Sequence, residues 1–151
     1  MTDLLLALAH HLLVFTIAAV LAAELALLGR PMSAPALRRV SSLDAAYGMA
    51  AMLILLIGFG RVFQGAKGSA FYLHNPVFWA KIGCFLAVGL VSIVPTIRFL
   101  QWKKRLQADA GFVPAEAEVS RVRRLVQAEL VLFVPIPLLA AAMARGYGFG
   151  A

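Results

Sequence analysis

Long apolar runs separated by short polar breaks organise the whole chain. Four runs each offer the roughly 20 mostly apolar residues that a helix needs to cross a hydrocarbon core. They cover about residues 4–28, 43–63, 77–102 and 122–144. Lipid gives exposed backbone groups no partners, so a spanning segment closes its hydrogen bonds internally, as a helix does. The pattern predicts an all-α fold: a single transmembrane domain over residues 1–151, built as an integral membrane four-helix bundle with short loops.

The breaks carry their own chemistry. Gly29 and Pro31 stop the first run. Ser41, three residues before Asp44, resembles a capping box that would start the second helix, with Asp44 as a cap residue. Asn75 followed by Pro76 reads as an N-cap and a first-turn proline for the third. Pro114 with Glu116 and Glu118 suits a helix start in the third loop, so the fourth helix begins outside the bilayer. Pro95, Pro135 and Pro137 lie inside runs, where each removes a backbone hydrogen bond and favours a kink.

Composition agrees with this reading. The 151 residues are 62% hydrophobic and 14% charged, against about 45–50% and 25% in soluble domains. A net charge of +7 would suit nucleic acid, but the cations fall in loops, where they set topology. The first loop holds Arg30, Arg38 and Arg39, and the third holds Lys103, Lys104, Arg105, Arg121, Arg123 and Arg124. Lys67 and Arg145 are the cations of the second loop and the C-terminal tail. The positive-inside rule puts the first and third loops in the cytoplasm and both termini outside, in a bacterial inner membrane. Reporter fusions after Arg105 are therefore expected to report a cytoplasmic position, and fusions at the C-terminus an outer one. The opposite reading at both points would invert the bundle. No basic n-region precedes the first run, so no cleavable signal peptide is expected. The single cysteine, Cys84, forms no disulfide within the chain and reads as a small packing residue. No internal repeat is visible, and "GYGFGA" reads as a short tail.

Ionisable residues inside spans are costly and mark pairs or functional sites. They sort into two layers. His10, His11, Arg61 and Lys81 lie toward the outer ends of the first three spans, with Tyr72 and His74 in the outer loop. Glu24, Asp44, Arg98 and Glu129 lie in the inner half. Arg61, Lys81 and Arg98 also have the reach to snorkel to headgroups. Glu24 and Glu129 read as protonated, paired with Arg98 or Arg124, or part of a proton path. Adjacent residues point about 100° apart on a helix, so His10 and His11 cannot both face one cavity. His10 and Glu24 are fourteen residues apart and share a face about 21 Å apart along the axis; His11 lies about 140° from Glu24. His10 is thus expected to face the bundle as a hydrogen-bonded imidazole, an axial metal ligand or a proton carrier. No His pair has the spacing of a zinc site.

The arrangement "HHLLVF…AAEL", "YG…GFGR" and "FYLHNPVFWAKIG…SIVPTIRFLQW" resembles, over nearly the whole chain, small bacterial inner-membrane proteins grouped as a domain of unknown function. More distantly, "LALAH" and "FWAK" resemble the histidine and lysine settings of the HemJ-type protoporphyrinogen oxidases. Here the tryptophan-to-lysine spacing is shorter by one residue, and the third span has no terminal histidine. That second resemblance implies b-type haem, His10 as the iron ligand, and Lys81 as a base or anion contact.

Three functions follow as expectations. The first is binding of haem b or another porphyrin in a redox role, with His10 as metal ligand and Arg61 and Lys81 holding the propionates; a quinone would use the same cluster. His11, His74, Met49 and Met52 are the candidates for a second axial ligand. The second is a non-enzymatic accessory or assembly subunit of a larger membrane complex. The third is a small transporter or channel, with Glu24, Glu129 and Arg98 on the path, which in four helices calls for a homo-oligomer.

Overall fold

A computed structural model describes residues 2–64 and 68–148. Lys67 and the last three tail residues, which entered the topology and tail readings, lie outside that set. The described residues form six helices and no strand: α1 Thr2–Leu28, α2 Ala34–Gln64, α3 Gly68–Leu73, α4 Pro76–Ala108, α5 Glu116–Phe133 and α6 Pro135–Ala144. α1, α2, α4 and the α5–α6 pair are long and apolar enough to span a membrane. α1 packs on α2 and α5, α2 on α4, and α4 on α5 and α6, which closes a ring of four spans with α1 and α4 on a diagonal.

α2 starts at Ala34, well before the expected start near residue 43. Ser33 is the reason. Its Oγ accepts the Ala36 N–H at 3.4 Å, and its carbonyl accepts the Leu37 N–H at 2.9 Å. Pro35 sits in the first turn, where its missing N–H costs nothing. Arg38 and Arg39 are good helix formers that continue the helix into solvent. The capping box at Ser41 and Asp44 is therefore overturned: both are buried inside α2. Ser41 donates to the Phe99 carbonyl at 3.2 Å instead of capping its own helix. α4 likewise runs past Trp102 to Ala108.

The prolines differ in effect. Pro95 is buried within an uninterrupted α4. At Pro135 the last span divides, α5 ending at Phe133 and α6 starting one residue after Val134. Two prolines in three positions remove the N–H groups that would serve the preceding turn, so the division falls at "VPIP".

Asn75 caps α4 as the sequence predicts. Its side chain accepts the Val77 N–H at 2.8 Å and donates to the Tyr147 carbonyl at 3.1 Å, tying the C-terminal turn to the start of α4. Gly148 follows at φ +87°, and a Cβ there would overlap Asn75 and Val77. Asn75→Ala is expected to cost about 1–2 kcal/mol through the lost cap, and Gly148→Ala to release the same tether. Thermal unfolding in detergent checks both; an unchanged Tm in each variant would remove the tether from the account.

Along the spans many large apolar side chains are exposed, including Leu8, Leu12 and Phe15 on α1 and Leu86, Leu90 and Ile93 on α4. That is the surface a lipid solvent requires. Inside, Ile17, Leu21, Leu37, Val40, Phe99, Trp102, Val122 and Val126 form the main core, with Cys84 packed against it. A smaller cluster of Val62, Tyr72, Phe78 and Met143 closes the end where the termini lie.

Candidate functional site

Two polar layers interrupt this apolar interior. The first lies toward the chain termini. His10 is half-buried on α1, and its Nδ1 is enclosed without a hydrogen-bond partner. Gly58 of α2 faces the imidazole: a Cβ there would stand in ordinary contact, 3.9 Å from His10 Cε1. Arg61 lies one turn further along α2, and its Nε is also enclosed without a partner. Lys81 reaches in from α4, with Nζ 5.2 Å from the centroid of the Phe78 ring. The charges acting on His10 are those of Arg61, Lys81 and His11, all basic groups.

The structure separates the two histidines. His11 is exposed and donates from Nδ1 to the Ala7 carbonyl one turn back, at 2.7 Å. Its ring stands edge-on to His10, with centroids 6.4 Å apart. His74 is also exposed and donates to the Ala70 carbonyl at 3.0 Å. Met49 and Met52 face outward. The layer toward the termini thus brings together His10, Arg61 and Lys81, and leaves His11, His74 and both methionines turned away from them.

The second layer lies nearer the first and third loops. Glu24 on α1 and Glu129 on α5 are each 2% exposed, and Asp44 on α2 is 8% exposed. Asp44 accepts the Thr96 hydroxyl of α4 at 2.7 Å. The Tyr47 hydroxyl, one turn along α2, is directed at Ser92 of α4 and at Glu129. Residues three or four apart share a helix face, so 44 and 47 on α2 meet 92 and 96 on α4 in register. Glu24 Oε1 and Glu129 Oε1 have no hydrogen-bond partner. The charges acting on Glu24 are those of Asp44 and Glu129.

The cations considered as partners for these acids lie elsewhere. Arg98 donates to Gln101 at 3.2 Å and meets Glu118 at 3.5 Å, at the mouth of a groove between α4 and α5. Arg124 is exposed. Among the described residues no ion pair reaches Glu24, Asp44 or Glu129. No three His, Cys, Asp or Glu side chains among the described residues converge closely enough to hold a metal ion. The sequence reading missed Tyr47, Ser92 and Thr96, although their helical spacing within apolar runs was a signal.

These features define a polytopic membrane protein, a four-span helical bundle with ionisable groups inside. The chain belongs to the family described as predicted membrane protein (DUF2214), whose model matches residues 2–148. No curated protein and no solved structure matches it. The family match assigns no activity and no kinship with the HemJ-type oxidases.

Proposed function

We propose that the chain is a bacterial inner-membrane protein that binds a lipid-soluble, acid-bearing redox group, haem b or a related porphyrin, through His10, Arg61 and Lys81. One observation carries the reading. The enclosed Nδ1 of His10 and Nε of Arg61 lack partners at one level of the bundle, beside Lys81. Buried polar atoms are almost always satisfied by protein, water or ligand. Basic groups from α1, α2 and α4 fit a ligand that brings acceptors and negative charge. A porphyrin matches that donor set: His10 would supply the axial nitrogen, and Arg61 and Lys81 would pair with the propionates. Haem supplies one-electron redox chemistry when bound. The protein's part is to orient the imidazole against Gly58, neutralise the carboxylates and keep water from the ring.

Absorbance spectroscopy of the purified protein, with and without added haemin, tests the reading. A saturable Soret band at stoichiometric haemin is the expected result. No band at any haemin concentration would overturn it. Saturable binding of a quinone in place of haemin would move the same site to the quinone alternative. A stoichiometric partner protein with no Soret band would favour the accessory-subunit role.

A further inference from the structure

At the loop end of the bundle, haem binding leaves a second group of cations unused. α4 runs past Trp102 to Ala108, and α5 returns from Glu116. The two helices flank a groove of about 360 Å³ lined by Arg98, Arg105, Ala115, Ala117, Glu118 and Arg121. The alanines leave it open, since neither carries a side chain beyond Cβ. Among the described lining residues, three guanidiniums stand against the one carboxylate of Glu118. Loop cations set topology wherever in the loop they stand, which does not account for three of them converging on one groove.

Two of the guanidiniums are positioned by neighbours. Arg105 Cζ lies 5.6 Å from the centroid of the Phe112 ring, and Phe112 packs against the main core. Arg98 donates to Gln101 at 3.2 Å and meets Glu118 at 3.5 Å. The contact with Glu118 is long and partly exposed, so it is a weak pair, and Arg98 keeps donors for a further acceptor. Arg98 and Arg105 are seven residues apart, on one face and about 10 Å apart along α4. Arg121 is exposed on α5, one turn after Glu118.

The depth of the groove narrows what fills it. Leu90, Val94 and Ile97 are exposed on α4 at spacings of four and three, so they continue the face of Arg98 and Gln101 toward the bilayer. Beyond Arg98 the exposed residues are Gln101, Lys103, Lys104 and Arg105. That face therefore changes from lipid-facing to charged at Arg98, the level at which a leaflet carries its headgroups. Guanidinium forks match phosphate oxygens, and basic pockets between spanning helices hold anionic headgroups. A free anion would use the arginines alone; a phospholipid also covers the apolar stripe that leads into them.

We propose that the groove between α4 and α5 binds the phosphate headgroup of an anionic phospholipid, held by Arg98, Arg105 and Arg121, with an acyl chain lying along Leu90, Val94 and Ile97. The site is separate from His10, Arg61 and Lys81 and does not depend on what they bind.

Native mass spectrometry of the full chain, released from micelles containing phosphatidylglycerol or phosphatidylcholine, tests the site. Saturable retention of phosphatidylglycerol, and not of phosphatidylcholine at the same concentration, is expected. Arg98→Gln with Arg121→Gln should weaken retention about tenfold or more. Lys104→Gln with Arg124→Gln removes the same charge outside the groove and should stay within about twofold. Glu118→Gln removes the competing carboxylate and should tighten binding, a gain that a misfolded variant cannot mimic; circular dichroism checks the fold of the others. Equal weakening in the two double variants would assign the effect to surface charge at large and overturn the site. Phosphatidylcholine held as tightly, or unchanged or weaker binding in Glu118→Gln, would overturn it too. Displacement of phosphatidylglycerol by inorganic phosphate would make the groove a site for a free anion and overturn the lipid assignment.

Discussion

His10→Ala abolishes haemin binding in the expected outcome, whereas His11→Ala leaves it within about twofold, the range of a surface substitution. The contrast rests on orientation. The two residues are adjacent, with the same chemistry and nearly the same depth, so a difference between them reports which face binds the ligand. His10 turns inward beside Gly58 with an unsatisfied nitrogen, and His11 spends its Nδ1 proton on the Ala7 carbonyl. Lys81→Met should weaken binding about tenfold or more, the worth of a hydrogen bond to a charged group, and leave the Soret position unchanged because the iron ligand remains. Equal losses in the two histidine variants would mean that the imidazoles act through the fold rather than as a ligand. Retention of the parent spectrum in the double variant would remove histidine from the site.

How far such a site is legible in sequence depends on the period of the helix. Phase alone puts His10 and Glu24 on a shared face and His11 off it, and the structure turns both former residues inward. The span count was legible for a similar reason, since lipid permits few alternatives to an apolar helix. The start of α2 was not. Arg38, Arg39, Ser41 and Ser42 look like a loop when mean apolarity is the criterion, yet Leu37 and Val40, three residues apart among them, form a buried face of α2. Its signal was Ser33 before Ala34-Pro35, a cap rather than a hydropathy step. The same error hid the role of Asp44. Taken as the start of a helix it is a cap; ten residues inside one, it is a buried acid facing Thr96. Arg98 was read as a partner for Glu24 or Glu129, and only the packing of α5 against α4 gives it to Glu118 instead. The partners of Glu24 lie on other helices, and no periodicity within α1 could name them.

Phe99→Ala is expected to be the most destabilising single substitution in the bundle, at about 3–5 kcal/mol, while Leu100→Ala should be close to neutral. In a bilayer, lipid tails are as apolar as leucine, so only packing against protein counts. Phe99 is 0% exposed and Leu100 is 58% exposed, although they are neighbours on α4. Phe99 meets Trp102 edge-on, with ring centroids 5.6 Å apart. Its backbone carbonyl accepts the buried Ser41 hydroxyl, a bond the substitution keeps, while loss of the ring empties the contact between α2 and α4 just below the carboxylate layer. Lipid cannot enter to fill that space, and the neighbouring helices relax only in part. Leu100 loses contacts that lipid replaces at once. Reversible unfolding in mixed micelles, or loss of helix in increasing dodecyl sulfate, measures the difference. A small effect at Phe99 would mean that the α2–α4 contact is not the core of the bundle. A large effect at Leu100 would place that face against a second protein rather than lipid, and the chain would then work as part of an oligomer or a larger membrane complex.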